Sequence, residues 1–263
     1  MSKRTARGLA APISVSQNFL TCKRTIDRLL RLTSICGDDY VIEIGAGKGH
    51  ITKELAKVSR AVGAYEIDPR LYGQLQKALG GADNVKLMLF DFIKASLPEH
   101  GRYKVFSNIP FSITSPIVRK LTTDGNPPQD AWLVVEKGAA KRFIGKPGET
   151  LASIAMKPFF DARIAYYFSR QDFHPTPSVD VVLLHLKKKV QPDIAFAQRE
   201  RFAAFVESGS KYGLQRALTK KQITAALRLA GLPRIGESGP MLYVQWLCLF
   251  RCYQQFMPAG SNG

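Results

Sequence analysis

Four consecutive residues, Asn108-Ile109-Pro110-Phe111, follow the apolar run Tyr103–Ser107 and carry groups suited to one kind of chemistry. The exocyclic amine of a base such as adenine is a poor nucleophile, because its lone pair is delocalised into the ring. Two acceptors aimed at its two hydrogens raise the electron density on nitrogen and favour a pyramidal geometry. The Asn108 amide oxygen and the main-chain carbonyl of Ile109 or Pro110 are such a pair. Pro110 restricts the backbone that aims the carbonyl, and Phe111 offers a ring face for a base to stack on. Asn and Pro are also turn formers, so a plain β-turn is an equal reading of these four residues taken alone.

A second constellation lies upstream. Val41-Ile42-Glu43-Ile44-Gly45-Ala46-Gly47-Lys48-Gly49 joins a strand to a helix through three glycines. Glycine lets a backbone turn tightly and approach a ligand with no Cβ in the way. The spacing is neither that of a phosphate-binding P-loop nor G-x-G-x-x-G. Glu66 ends the next strand, 21 residues after Gly45, where a carboxylate can accept both hydroxyls of a ribose. Asp91 ends the strand after that, in Phe90-Asp91-Phe92, where an acceptor can hold an exocyclic amino group. Each carboxylate alone reads equally well as a helix cap. Together with the glycine loop they point to a cofactor bound across neighbouring strand ends.

These residues need a scaffold, and the hydrophobic pattern supplies one. Strands are expected at Tyr40–Ile44, Ala61–Tyr65, Val85–Phe90, Tyr103–Ser107, Ala131–Val135, Ile164–Phe168 and Val179–Leu186. Helices are expected at His50–Lys57, Pro69–Leu79 and Ser115–Leu121. Alternation of this kind implies right-handed βαβ units and a mostly parallel sheet. Only Ser169–Ser178 separates the last two strands, too little for a crossover, so they are expected to run antiparallel. Beyond Lys187-Lys188-Lys189 the pattern turns helical, at Ala195–Glu207, Thr219–Ala230 and Met241–Phe256. The expected division is a basic N-terminal arm over 1–15, an α/β domain over 16–189 and a small helical domain over 190–263.

The chain has 263 residues, 38 of them Lys or Arg against 21 Asp or Glu, a net charge of +17. The excess is uneven: residues 1–36 carry +6, 37–186 only +3, 187–234 carry +8 and 235–263 balance. Basic segments flanking a near-neutral body point to a polyanion such as nucleic acid. Lys187–Lys189 is the first candidate run for phosphates, with Lys137, Lys141 and Arg142 as the alternative. Cys22, Cys36, Cys248 and Cys252 form no C-x-x-C pair, and His50, His100, His174 and His185 form no cluster, so no metal is expected. No apolar run is long enough to span a bilayer. No membrane association and a soluble, cytoplasmic location are the expectation.

The segment Ser16-Gln17-Asn18-Phe19-Leu20, the glycine loop, Glu66, Asp91 and Asn108–Phe111 resemble, in order and spacing, the rRNA adenine-N6 dimethyltransferases. The resemblance spans about residues 14–256. It implies a Rossmann-like methyltransferase sheet, mostly parallel with a reversed strand near its end, followed by a small helical domain. It implies S-adenosylmethionine (SAM) as cofactor. Asn18 and Leu20 would line its methionine end, with Gly45, Ala46 and Gly47 beneath. Glu66 would hold the ribose, Ile67 would pack on the adenine, and Asp91 would accept from its amine beside Phe92. Asn108, Ile109, Pro110 and Phe111 would form the catalytic loop, with Asn108 also touching the cofactor. Phe173 is similar to a second aromatic facing the target base, and a hydrophobic loop anchor is its other reading.

Within that family the chain looks like the Erm branch, which modifies one adenine of 23S rRNA and confers resistance to macrolides, lincosamides and streptogramin B. The loop has Ile109 where the small-subunit branch usually has leucine, and Phe173–Val182 matches the Erm form of a shared segment. The implied partner is 23S rRNA and the implied state a monomer. The alternatives are a small-subunit rRNA dimethyltransferase, which modifies two adjacent adenines, and an RNA- or DNA-binding assembly or transcription factor that kept the fold without catalysis.

Overall fold

Runs of β-branched and aromatic residues form a seven-stranded sheet in the computed structural model, which describes residues 18–236 and 239–256. In chain order the strands are β1 (Phe19–Leu20), β2 (Tyr40–Ile44), β3 (Ala61–Glu66), β4 (Val85–Leu89), β5 (Lys104–Asn108), β6 (Asp130–Glu136), β7 (Phe160–Tyr167), β8 (Phe173–His174) and β9 (Val181–Lys188). The large sheet has the order β4-β3-β2-β5-β6-β9-β7, and β1 pairs separately with β8. Strands β2 to β6 are parallel, and β9 runs antiparallel to both of its neighbours, as the short connection requires. The fold is thus the Rossmann-like methyltransferase sheet that the resemblance implied, with one reversed strand.

Central parallel strands are buried on both faces, which is why they are apolar without alternation. On one face Val41, Val62, Phe106 and Val134 pack under α1 (Lys23–Arg31), α2 (His50–Val58) and α3 (Pro69–Leu79). On the other, Ile42, Val105, Leu133 and Leu184 pack under α4 (Thr114–Thr123), α5 (Lys137–Ile144) and α6 (Leu151–Met156). The same hydrophobic cluster continues into the C-terminal helices α7 (Arg199–Tyr212), α8 (Lys220–Leu229) and α9 (Tyr243–Gln255), through Phe202, Val206, Leu227 and Phe250. Phe159 meets Phe196 edge-on, with ring centroids 5.3 Å apart. The helical segment is therefore packed onto the sheet, and the expected boundary falls at the exposed Val190. Thr219 and Gln222 cap α8 reciprocally, as their spacing indicated.

Helices α1, α5 and α6 were not expected. In α1 the buried residues Ile26, Leu29 and Leu30 follow helical spacing, and Thr150 with Ser153 forms a capping box on α6. The arm over 1–15, with Ser16 and Gln17, lies outside the described residues.

The parallel strands end at one edge, bringing Ile44, Glu66, Leu89, Asn108 and Glu136 to the same side of the molecule. The Lys187–Lys189 run sits elsewhere. Because β9 is reversed, Lys187 pairs with Asp130 at the start of β6, on the opposite edge from Asn108. Lys189 is also engaged, its Nζ 2.7 Å from Asp193. This run does not face the edge that carries the candidate chemistry, so the alternative basic residues on α5 gain interest.

Candidate active site

The glycine loop leaves β2 and turns under the N-terminal strand. Gly47 has φ +57°, and a Cβ there would come to 3.0 Å from the Phe19 ring. Gly49, at φ +80° before α2, would drive a Cβ to 2.8 Å from Leu75. Both positions therefore call for glycine on conformational and on steric grounds. Phe19 lies over the loop, with the Lys48 ammonium 5.7 Å from its ring centroid.

Glu66 is buried and organises the loop. Its Oε2 accepts from Gly47 N–H at 2.7 Å, and its Oε1 accepts from Ile67 and Asp68 N–H at 2.8 Å each. A carboxylate offers about four lone-pair sites, so roughly one remains for a ligand hydroxyl. Two hydroxyls could be held only if one backbone donor moved away.

Asn108 ends β5 beside the loop. Ser107 ties the two strand ends together, its buried hydroxyl accepting from Ile44 N–H. The Asn108 Nδ2 donates to the main-chain oxygen of Asn18 at 2.7 Å. That bond fixes the amide and leaves Oδ1 an acceptor with no partner among the described residues. Asn18 is carried in place by β1, whose Leu20 pairs with Phe173 and whose Phe19 pairs with His174. The N-terminal segment thus bridges the glycine loop and the loop after β7.

One cleft is lined by Asn18, Leu20, Gly45, Ala46, Gly47, Glu66, Asn108, Ile109, Pro110 and Phe111, all singled out by sequence. Phe19, Glu43, Lys48, His50 and Ile51 also line it and were not singled out as ligand residues. His50, one of four histidines that form no cluster in the sequence, is brought to the cleft by its place at the start of α2. Ile67 lies outside the lining set, 46% exposed beside Glu66. Asp91 caps the turn Phe92–Lys94 by accepting from Ile93 N–H at 3.0 Å. Phe90 N–H donates to the Glu66 carbonyl, so Ile67 and Asp91 flank the same gap between neighbouring strand ends.

Burial bears on two of the expected residues. Phe92 sits in the core, edge-on to Tyr65 with centroids 5.1 Å apart. Phe173 is only 4% exposed and packs on Phe168. With its ring covered it matches the loop-anchor reading rather than that of a ring open to a base. Among the described residues no group of three or more His, Cys, Asp or Glu could hold a metal, and no helix is long and apolar enough to cross a membrane.

Glu43 is the unusual group here. It is 1% exposed, lines the cleft, and its Oε2 has no hydrogen-bond partner. Burial pushes its carboxyl from 4.5 up to about 8, the neighbouring Thr52 hydroxyl acts the other way, and the Glu66 charge adds to the rise. Between those two values the native state holds a proton that the unfolded chain has lost, so native stability falls as pH rises across that window. Glu43→Gln removes this titration. Its melting temperature should change less than that of the wild type between about pH 5 and pH 8. Parallel curves for the two proteins would show that Glu43 is ionised throughout.

A family model described as ribosomal RNA adenine dimethylase matches residues 9–209, most of the chain. The chain belongs to this family. It is an rRNA adenine methyltransferase by descent and by fold. It is 34% identical over 244 residues to an "rRNA adenine N-6-methyltransferase" of Lysinibacillus sphaericus, covering 93% of this chain and 97% of that one. It is also 35% identical over 215 residues to a "Ribosomal RNA small subunit methyltransferase A" of Thermotoga neapolitana, covering 80% of this chain and 81% of the other. The crystal structure of the 23S rRNA methyltransferase ErmE superposes with a TM-score of 0.77 at 30% identity, over 90% of this chain and 100% of that one.

Proposed function

We propose that the chain transfers methyl groups from SAM to N6 of one adenine in 23S rRNA, once or twice, and so blocks macrolides, lincosamides and streptogramin B from the ribosome. The observation that carries the chemistry is the Asn108 amide at the cleft, held by donation to the Asn18 carbonyl so that its oxygen is left as an unpaired acceptor. Three features of the cleft fit the cofactor. Gly45, at φ +71° in the cleft lining, leaves open space where a Cβ would stand. Glu66 can accept from a ribose hydroxyl, and a cationic ligand near the unpaired Glu43 oxygen would draw that carboxyl, raised by burial, towards its ionised form. When bound, SAM supplies a methyl group already activated on a sulfonium, so no metal and no strong base is required.

The protein's part is to position and to polarise. Asn108 Oδ1 and a main-chain carbonyl of Ile109 or Pro110 accept from the two amine hydrogens. Phe111, half-buried at the cleft, stacks on the base, which must be unpaired or flipped out to reach it. The attacking nitrogen becomes cationic as its bond to the methyl carbon forms, and a proton leaves it to water. Neutral Asn108 can bind the amine before and after that step. Ile67, exposed beside Glu66, would pack on the cofactor's adenine, and Asp91 would accept from its amine. The arm over 1–15 and the helical segment over 190–263 supply positive charge for phosphates, including the exposed Lys220, Lys221 and Arg228.

The 23S reading is supported by the match to ErmE across that entire chain, and by Ile109 in the loop. The Thermotoga relative favours a second reading, modification of small-subunit rRNA. Ribosomes from cells that express the chain should fail to bind a radiolabelled macrolide. Normal macrolide binding by fully methylated ribosomes would favour the second reading.

A further inference from the structure

Across the sheet, Asn108 pairs with Val134, Val134 with Leu183, and Leu183 with Tyr166. These four residues form one rank at the edge that holds the cleft. Three strand spacings of ~4.8 Å place Tyr166 about 14 Å from Asn108. The next residue, Tyr167, is 62% exposed at the end of the edge strand β7. Its ring has the Lys137 ammonium 5.9 Å from its centroid. Lys137 and Arg170 each approach Asp180 at 3.2 Å, which links both cations to one carboxylate. Lys141 is one turn further along α5 on the same face and is exposed. Asp180 answers Lys137 and Arg170, Asp172 accepts from Thr25 and from Ser169 N–H, and Lys141 has no ion pair among the described residues.

An exposed ring among anchored cations is the pattern that binds a strand of nucleic acid: the ring takes a base, the cations take phosphates. We infer that Tyr167 is the stacking platform for an rRNA base flanking the target adenine, with Lys137, Lys141 and Arg170 holding the phosphates between. The inference rests on the reading of the Asn108 loop as the seat of the target base. The separation along the edge corresponds to about four stacked nucleotides at ~3.4 Å each, and to fewer if the strand is extended.

The test uses the full chain, radiolabelled SAM and protein-free total rRNA. Tyr167→Ala should raise the rRNA concentration at half-saturation roughly 5- to 100-fold, with the loss falling on half-saturation rather than on turnover at saturating rRNA. Tyr167→Phe should recover most of it, since the phenyl face is what stacks. A melting curve and SAM affinity like those of the wild type certify that the alanine variant is folded. Half-saturation unchanged in the folded Tyr167→Ala variant overturns the inference. Ultraviolet crosslinking of the wild-type protein gives a second reading independent of any variant. The peptide containing Tyr167 should join a nucleotide within about four of the methylated adenine. Crosslinks from those flanking nucleotides to other peptides alone would overturn it. If the methyl group lands on 16S rRNA, the 23S proposal falls while the Tyr167 comparison is still read on that substrate. If it lands on 23S rRNA and Tyr167→Ala is silent, only the Tyr167 inference falls.

Discussion

Asn108→Ala should lower methyl transfer by at least about a hundredfold, the scale seen when a preorganised polar partner of a transition state is removed, while SAM affinity stays within a few-fold. The side chain is held by one bond, Nδ2 to the Asn18 oxygen, so its Oδ1 is an acceptor set in place before substrate arrives. Alanine removes the acceptor and frees Asn18, and the nitrogen to be methylated keeps its lone pair in the ring. Asn108→Asp should fail as well, because a carboxylate cannot donate to Asn18 and would be repelled by its carbonyl. Single-turnover transfer to rRNA at saturating SAM reads the effect. Turnover at the wild-type rate in Asn108→Ala would remove the role given to this residue.

Glu66→Ala should weaken SAM binding by about 1.5–3 kcal/mol and lower the melting temperature of the cofactor-free protein. The second effect follows from the structure. Three backbone N–H groups converge on this carboxylate, and an alanine leaves them without that partner, at about 1–3 kcal/mol for each that stays buried. Gly47 is one of the three, so the glycine loop loses its anchor together with the ribose acceptor. Glu66→Gln retains one acceptor oxygen and should fall between the two. Calorimetric affinity unchanged in the alanine variant would mark Glu66 as a loop anchor alone.

The parts of the site that were legible in sequence are those built from neighbouring residues. The glycine loop and Asn108–Phe111 are continuous motifs at strand ends, and alternating hydrophobic runs reveal strands by their period. What joins them is long-range. Asn18 on Asn108, Phe19 on Gly47 and Ser107 on Ile44 unite residues far apart in sequence, and no spacing rule reports such contacts. The burial of Phe92 and Phe173 stayed hidden for the same reason. An aromatic next to a ligand residue looks available until the neighbours that cover it, Tyr65 and Phe168, are known.

Charge was legible in amount and not in direction. The Lys187–Lys189 run adds to the basic total, yet the reversal of β9 carries it to the edge away from Asn108. That reversal was itself expected from the short Ser169–Ser178 connection, so the far placement of the lysines follows from it. Helix α1 carried a readable signal in the spacing of Ile26, Leu29 and Leu30. Helix α5 gave less, being eight residues long with Gly138 in its first turn.

The central claim is tested most directly by incubating the protein with radiolabelled SAM and separated, protein-free 23S and 16S rRNA, then mapping the modified base. Label at N6 of a single adenine in 23S rRNA, with none in 16S rRNA, is the expected result. Label in two adjacent adenines near the 3′ end of 16S rRNA, with 23S rRNA unmodified, would contradict it.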